Sequence, residues 1–192
     1  MSFVAELPFG SGKRFLHDGG IASALAGGWQ VNGLFGAYSG KPFSVTSDAT
    51  SLQMNGSNQM ADQIKPEVTI LHEVGAGKSW FDPLAFAPVT TARFGNAGFD
   101  SLYGPGYANL DLSFFRQFAL HGSSTLQFRV EIFNLTNTPH FANPGSNVSN
   151  LQLNADGTVR SLGGFSSITS TANTGREGID ERLVRLGLRF GF

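Results

Sequence analysis

Residues 181 to 192 read ERLVRLGLRFGF, and the alternation runs to the last residue. Val184, Leu186, Leu188, Phe190 and Phe192 share one parity. Leu183, Arg185, Gly187, Arg189 and Gly191 share the other. Successive side chains of a β-strand point to opposite faces, so a period of two gives one apolar face and one polar or small face. Three more segments follow the same rule. TLQFRVEIF sets Leu126, Phe128, Val130 and Ile132 against Thr125, Gln127, Arg129 and Glu131. ANLDLSFFRQF sets Leu110, Leu112, Phe114 and Phe118 against Asn109, Asp111, Ser113 and Gln117. WQVNGLFGAY sets Trp29, Val31, Phe35 and Ala37 against Gln30, Asn32 and Tyr38, with Leu34 on the polar side. A shorter run, with Phe3, Ala5 and Leu7 on one parity, opens the chain.

These segments are long for a soluble sandwich, whose strands run nearer 5–6 residues. A strand of about 11 residues spans roughly 36 Å, and a tilt of about 45° lets it cover roughly 25 Å, the height of an outer-membrane apolar band. The connections are uneven as well. ALHGSS joins two strands in a hairpin turn, whereas the polar segments 40–106 and 137–180 are very long. Short turns at one end and long loops at the other are the asymmetry of an outer-membrane barrel. Structureless loops of that length argue against a compact soluble domain. NADG at 154–157 reads as a small hairpin tip within the second loop, and GGIASALAGG at 19–28 is the one compact helical candidate.

Register follows from the arginines. On the parity of Arg185 and Arg189 they meet a watery lumen. A one-residue slip would turn both toward lipid, at roughly 2–4 kcal/mol each near the midplane. Arg182 and Arg116 share the apolar parity. Both are read as strand-end residues, where the cost falls to about 0–1 kcal/mol.

Composition agrees with this reading. Only 14% of residues are charged, against about a quarter in an ordinary soluble domain, while there are 25 glycines and 18 phenylalanines. A net charge of −1 argues against nucleic acid as a partner. The absence of cysteine excludes disulfides and thiolate metal sites. No run is long and apolar enough for a transmembrane helix, and MSFVAELPFG is not a signal peptide.

The blocks FGNAGFDSLYGPGYANLDLSFFRQFAL and LQFRVEIFNLTNTPHFANP occur in order before a terminal aromatic strand. Together with ELPFGSGKRFL and LAGGWQVNGLFGAYSGKPFSV they resemble the end of the Oar-like TonB-dependent transporter barrels of Gram-negative bacteria. The resemblance covers nearly the whole chain and is weakest in the long loops. It implies an outer-membrane barrel of about 22 strands, a plug domain coupled to the TonB system, and uptake of a small-molecule ligand such as a siderophore or an oligosaccharide. It also implies a periplasmic C-terminus, which makes the long loops extracellular. The five strands expected here, at about 1–7, 29–39, 108–119, 125–136 and 182–192, leave two open edges, which lipid does not tolerate. The chain is therefore expected to be the C-terminal part, or a truncated reading frame, of a larger transporter, inactive alone, with the plug upstream and Met1 an internal or accidental start. The expected partners are outer-membrane lipid and the barrel-assembly machinery, which would read Val184, Leu186, Leu188, Phe190 and Phe192 as an assembly signal. Asp111, Arg129, Glu131, Arg185 and Arg189 are the expected polar lining of the lumen.

No catalytic or cofactor motif stands against this. GSGKR at 10–14 lacks the first glycine of a phosphate loop and reads as a turn. His17, His72, His121 and His140 show no metal-ligand spacing and fall in expected loops, where a histidine is usually solvated. Asp111 and Glu131 could form an acid/base pair, but a polar lumen explains both. Trp80, Phe81, Phe86, Phe94 and Phe99 in the first loop could grip a ligand or pack the loop onto itself. The alternatives carried forward are an adhesive or structural outer-membrane protein and a soluble secreted β-sandwich that binds or hydrolyses glycans.

Overall fold

The computed structural model describes residues 1–16, 20–172 and 180–192. The chain divides into two compact units, one of Met1–Ala37, Ala108–Pro139 and Thr174–Phe192, the other of Tyr38–Tyr107 and His140–Asn173. His17 and the end of the second long loop lie outside the described residues.

The first unit is an antiparallel sheet of five strands in chain order: β1 (Ser2–Glu6), β2 (Trp29–Tyr38), β3 (Tyr107–Ala119), β4 (Thr125–Phe133) and β5 (Leu183–Gly191). The register is the one the alternation requires. Leu126, Phe128, Val130 and Ile132 face Phe190, Leu188, Leu186 and Val184 across β4 and β5. The same four face Phe118, Arg116, Phe114 and Leu112 across β3 and β4. β-Branched, leucine and aromatic residues thus form cross-strand rows on one face, the unit of sheet stabilisation. On β5 that face is not covered: Val184, Leu186, Leu188 and Phe190 are 53 to 72% exposed. The β3–β4 turn is short, closed by Leu120 N–H donating to the Ser124 carbonyl at 2.9 Å. β1 and β5 each pair on one side only, so the sheet is open at both edges. A helix, Gly20–Ala26, lies in the connection from β1 to β2, where the sequence predicts one.

The second unit differs from expectation. Segments 40–106 and 137–172 are loops in that they join long strands, but they are not structureless. They hold short paired strands, Pro42–Phe43 with Leu102–Tyr103, Thr46–Asp48 with Asn58–Met60, Asp62–Gln63 with Phe86–Ala87, and Gln152–Leu153 with Val159–Ser161. The last pair is the hairpin whose tip is NADG. Both segments feed one core of Phe43, Val45, Phe81, Phe86, Val148, Phe165 and Ile168, each at most 8% exposed. Phe81 stands at its centre. Its ring lies 5.3 Å from Phe165 and 5.8 Å from Phe86, both edge-on, and 5.9 Å from Phe43. These residues have no regular period, because they come from two-residue strands, isolated bridges, a single helical turn and irregular backbone, so their convergence left no pattern in the sequence.

Local chemistry explains why particular residues occupy these turns. Within the GPGY block, Gly104 donates its N–H to the Lys41 carbonyl at 3.0 Å. A Cβ on Gly40 would collide with the Gly104 carbonyl, so two backbones cross there with no room for a side chain. In RFGNAG, the Arg93 guanidinium grips Asp62 with two bonds of 2.8 and 2.6 Å. The Asn96 amide accepts the Gln63 N–H at 2.7 Å, and Ala97 N–H donates to the Ala61 carbonyl at 2.9 Å. The block is a clamp on residues 61–63.

Candidate functional site

The residues expected to line a lumen lie on the polar face of the sheet. Cross-strand register places Glu131 opposite Arg185, Gln127 opposite Arg189, and Arg129 opposite Gly187. Arg129 reaches Glu131 along its own strand at 3.4 Å. Two phenylalanines on this face escaped the sequence reading as partners of these charges. The Arg129 guanidinium sits 5.6 Å from the Phe115 ring centre, and that of Arg185 sits 5.4 Å from Phe133. A guanidinium over an aromatic face is held by the ring quadrupole. The signal was available, since Phe115 and Phe133 stand on the polar parity of the strands next to those that carry Arg129 and Arg185.

Asp111 plays a narrower part than a bare lumen charge. Its Oδ1 accepts the Asn134 backbone N–H at 2.9 Å and the Asn109 amide at 2.9 Å. Asn134 leaves β4 with φ +48°, and its side chain accepts the Thr138 N–H at 3.1 Å while donating to the Thr138 carbonyl at 3.0 Å. The NLTN block is therefore a strand exit pinned to β3 through Asp111. Asp111 and Glu131 have different partners and do not form an acid/base pair.

Two hollows open on the polar face. One, of about 220 Å³, is lined by Glu6, Lys13, Gln30, Phe115, Gln117 and Gln127 among others. The other, of about 260 Å³, is lined by Gln117, Thr125, Gln127, Arg189 and Gly191. Amides and one guanidinium can hydrogen-bond a polar ligand, but both hollows are smaller than the roughly 300–1,000 Å³ of a drug-sized site. Lys13 is held by Glu6 at 2.6 Å, and GSGKR is a turn in which Lys13 N–H donates to the Gly10 carbonyl at 3.0 Å. A third hollow, of about 530 Å³ and largely apolar, lies within the second unit between Ile64, Leu84, Phe86, Pro88, Leu151 and Leu153.

The remaining candidates sort by burial. Trp80, Phe81 and Phe86 belong to the core of the second unit, whereas Phe94 and Phe99 are 74% and 82% exposed. His72 meets Trp80 edge-on at 5.0 Å, and His121 is exposed in the β3–β4 turn. His140 departs from the solvated state expected of a loop histidine: it is buried and stacked on Tyr107 at 4.2 Å. Arg182 precedes β5, its backbone N–H bonded to Asn137 Oδ1 at 3.0 Å. Arg116 lies near the end of β3, as read, and has backbone partners there. It donates to the Leu25 carbonyl at 2.5 Å and to that of Ala24, at the end of the short helix.

One apolar and one polar face on a sheet of long antiparallel strands is the two-sided pattern of a wall between lipid and water. The family model described as outer membrane beta barrel domain matches residues 1–179. The chain belongs to that family. The domain lies in the outer membrane, within a family that is generally not enzymatic. No curated protein and no solved structure matches the chain. Outer-membrane membership removes the soluble secreted sandwich.

Proposed function

We propose that this outer-membrane barrel domain is the C-terminal part of a TonB-dependent transporter barrel that takes up a small ligand such as a siderophore or an oligosaccharide. The observation that carries the reading is the pair of unpaired edges on β1 and β5. An open edge cannot stand in hydrocarbon, so these edges call for further strands of a larger barrel. The ordered GPGY and NLTN blocks support the same reading through their resemblance to Oar-like transporters. In the closed barrel Val184, Leu186, Leu188 and Phe190 face lipid, with Phe192 at the end of the same row. Arg129, Glu131, Arg185 and Arg189 line the lumen, with Asp111 at the β4 exit. The barrel-assembly machinery reads the last strand, and a plug domain links the barrel to the TonB system.

The test is energised uptake by the full-length product in outer-membrane-intact cells, with and without a working TonB system. Uptake that survives loss of TonB would sink the transporter reading. Release of the protein by carbonate without detergent would sink membrane insertion itself.

An adhesive role is favoured by one observation. Phe94 and Phe99 are exposed on a segment fixed by Arg93 to Asp62 at one end and by Asp100 N–H to Ser44 Oγ at 2.7 Å at the other. Rigid aromatic side chains are effective anchors for a partner. Phe94→Ser with Phe99→Ser should abolish adhesion and leave uptake intact if this second reading holds.

A further inference from the structure

The helix Gly20–Ala26, GIASALA, carries no charge, and it exposes two large apolar side chains. Ile21 is 80% exposed and Leu25 is 67% exposed. They are four residues apart, hence on one side of the helix. A seven-residue helix is marginal in water, and such a helix gains nothing by presenting isoleucine and leucine to solvent. What fixes it is the apolar face of the sheet. Arg116, opposite Phe128 on that face, donates to the Leu25 and Ala24 carbonyls and lies 4.4 Å from the Phe118 ring. Trp29 donates its indole N–H to the Leu25 carbonyl at 3.0 Å and meets the Phe128 ring edge-on at 6.0 Å. The carbonyls are those a helix C-terminus leaves unpaired, and a cation there is favourable. An arginine on a lipid-facing row is thereby supplied with partners at that face.

We propose that this helix is an interfacial anchor that buries Ile21 and Leu25 in the phospholipid leaflet beside the β3–β4 turn. The inference rests on the barrel reading, which makes the apolar face of the sheet the lipid face. The surface around the helix continues that face. Trp29, Phe118, Phe128 and Phe190 lie at the same end of the sheet, where an aromatic girdle meets headgroups. An uncharged apolar turn fixed at that level enters the headgroup–acyl boundary. Arg116 acts as a positioning residue that holds the helix down through its carbonyls.

The chain has no cysteine, so single labels report cleanly. Ile21→Cys, Leu25→Cys and Leu186→Cys variants of the full-length protein, with any cysteine outside these residues replaced by serine, would carry an environment-sensitive fluorophore in phosphatidylethanolamine–phosphatidylglycerol vesicles. Spin-labelled lipids quenching near the headgroups or near the bilayer centre would then be added, with iodide as the aqueous quencher. The expected result is a blue shift and loss of emission at positions 21 and 25 with the shallow lipid quencher, and at 186 with the deep one. Arg116→Gln should reduce the shallow quenching at position 25 and leave that at 186 unchanged. Lipid quenching at 186 alone, with iodide reaching 21 and 25, overturns the anchor and spares the barrel. Shielding of 21 and 25 from both quenchers means that a protein covers them and also overturns it. No lipid quenching at any position overturns both readings.

Discussion

At the scale of single residues the second unit depends on a few side chains whose roles are decided by contact rather than by type. Phe81 is fully buried among three other rings. Phe81→Ala should destabilise this unit by about 3–5 kcal/mol, the usual cost of emptying a buried aromatic site. Denaturant unfolding followed through Trp80 emission, in a Trp29→Phe background, measures it. Ser166 is also fully buried, accepting the Phe81 N–H at 3.1 Å and donating to the Phe81 carbonyl at 2.6 Å. Asp62 offers a pH test. The hydrogen bonds from Arg93, with its charge, hold the Asp62 carboxyl below the usual carboxylate range, against the opposing effect of burial. A depressed folded pKa contributes stability that is complete above the unfolded value near 4 and is lost as pH falls through the folded value. The midpoint of this unit should therefore drop on acidification below about pH 4, and Asp62→Asn should flatten that part of the profile. An unchanged acid limb in Asp62→Asn would show that other carboxylates govern it.

At the scale of elements, alternation decides which substitutions a strand tolerates. Leu186 lies in the middle of the apolar face of β5, opposite Val130. Leu186→Arg should lower assembly into the membrane, with a cost of about 2–4 kcal/mol if the site lies near the midplane. Arg185→Leu, on the polar face, should assemble as well as the parent. Heat-modifiable migration of membrane fractions distinguishes the two, and equal loss in both would mean that β5 does not have a lipid side. The strand exit at Asn134 is the other sensitive element. Asn134→Ala forfeits both bonds to Thr138 and keeps a left-handed backbone that alanine resists, so a loss of about 1–3 kcal/mol is expected. Asn134→Gly should relieve the backbone part but not the hydrogen-bond part. The four long strands and the short first one were legible in the sequence to within a few residues, because lipid on one side and polar surroundings on the other force a strict period. The short strands of the second unit were not, because a strand of two or three residues is too short to display one.

At the scale of the whole molecule, an exposed apolar face suits the sheet to the outer membrane in which the domain lies. Deleting Phe192, which is 96% exposed and 6.0 Å from the Phe190 ring, should lower membrane assembly of the full-length protein if the last strand is an assembly signal. Assembly at parental levels, read from outer-membrane fractions, would count against that role. Of the candidate site, the sequence located the charged positions on the polar face but not the rings and the turn that they meet. Arg129 and Arg185 rest over Phe115 and Phe133, and Asp111 is committed to the Asn134 turn. Parity says which face a side chain occupies, whereas its partner depends on cross-strand register and on where the next strand ends.

The long strands and their two faces were readable from a repeat along the chain, which any solvent difference across a sheet imposes. The outer-membrane class was readable from the length of those strands, the uneven connections and the ordered sequence blocks. Tertiary structure alone decided that the long polar segments share a core, that His140 is buried and that Arg116 captures a helix end. Each depends on residues far apart in sequence meeting in space, Phe81 with Phe165 and Arg116 with Leu25, and no local period records such meetings.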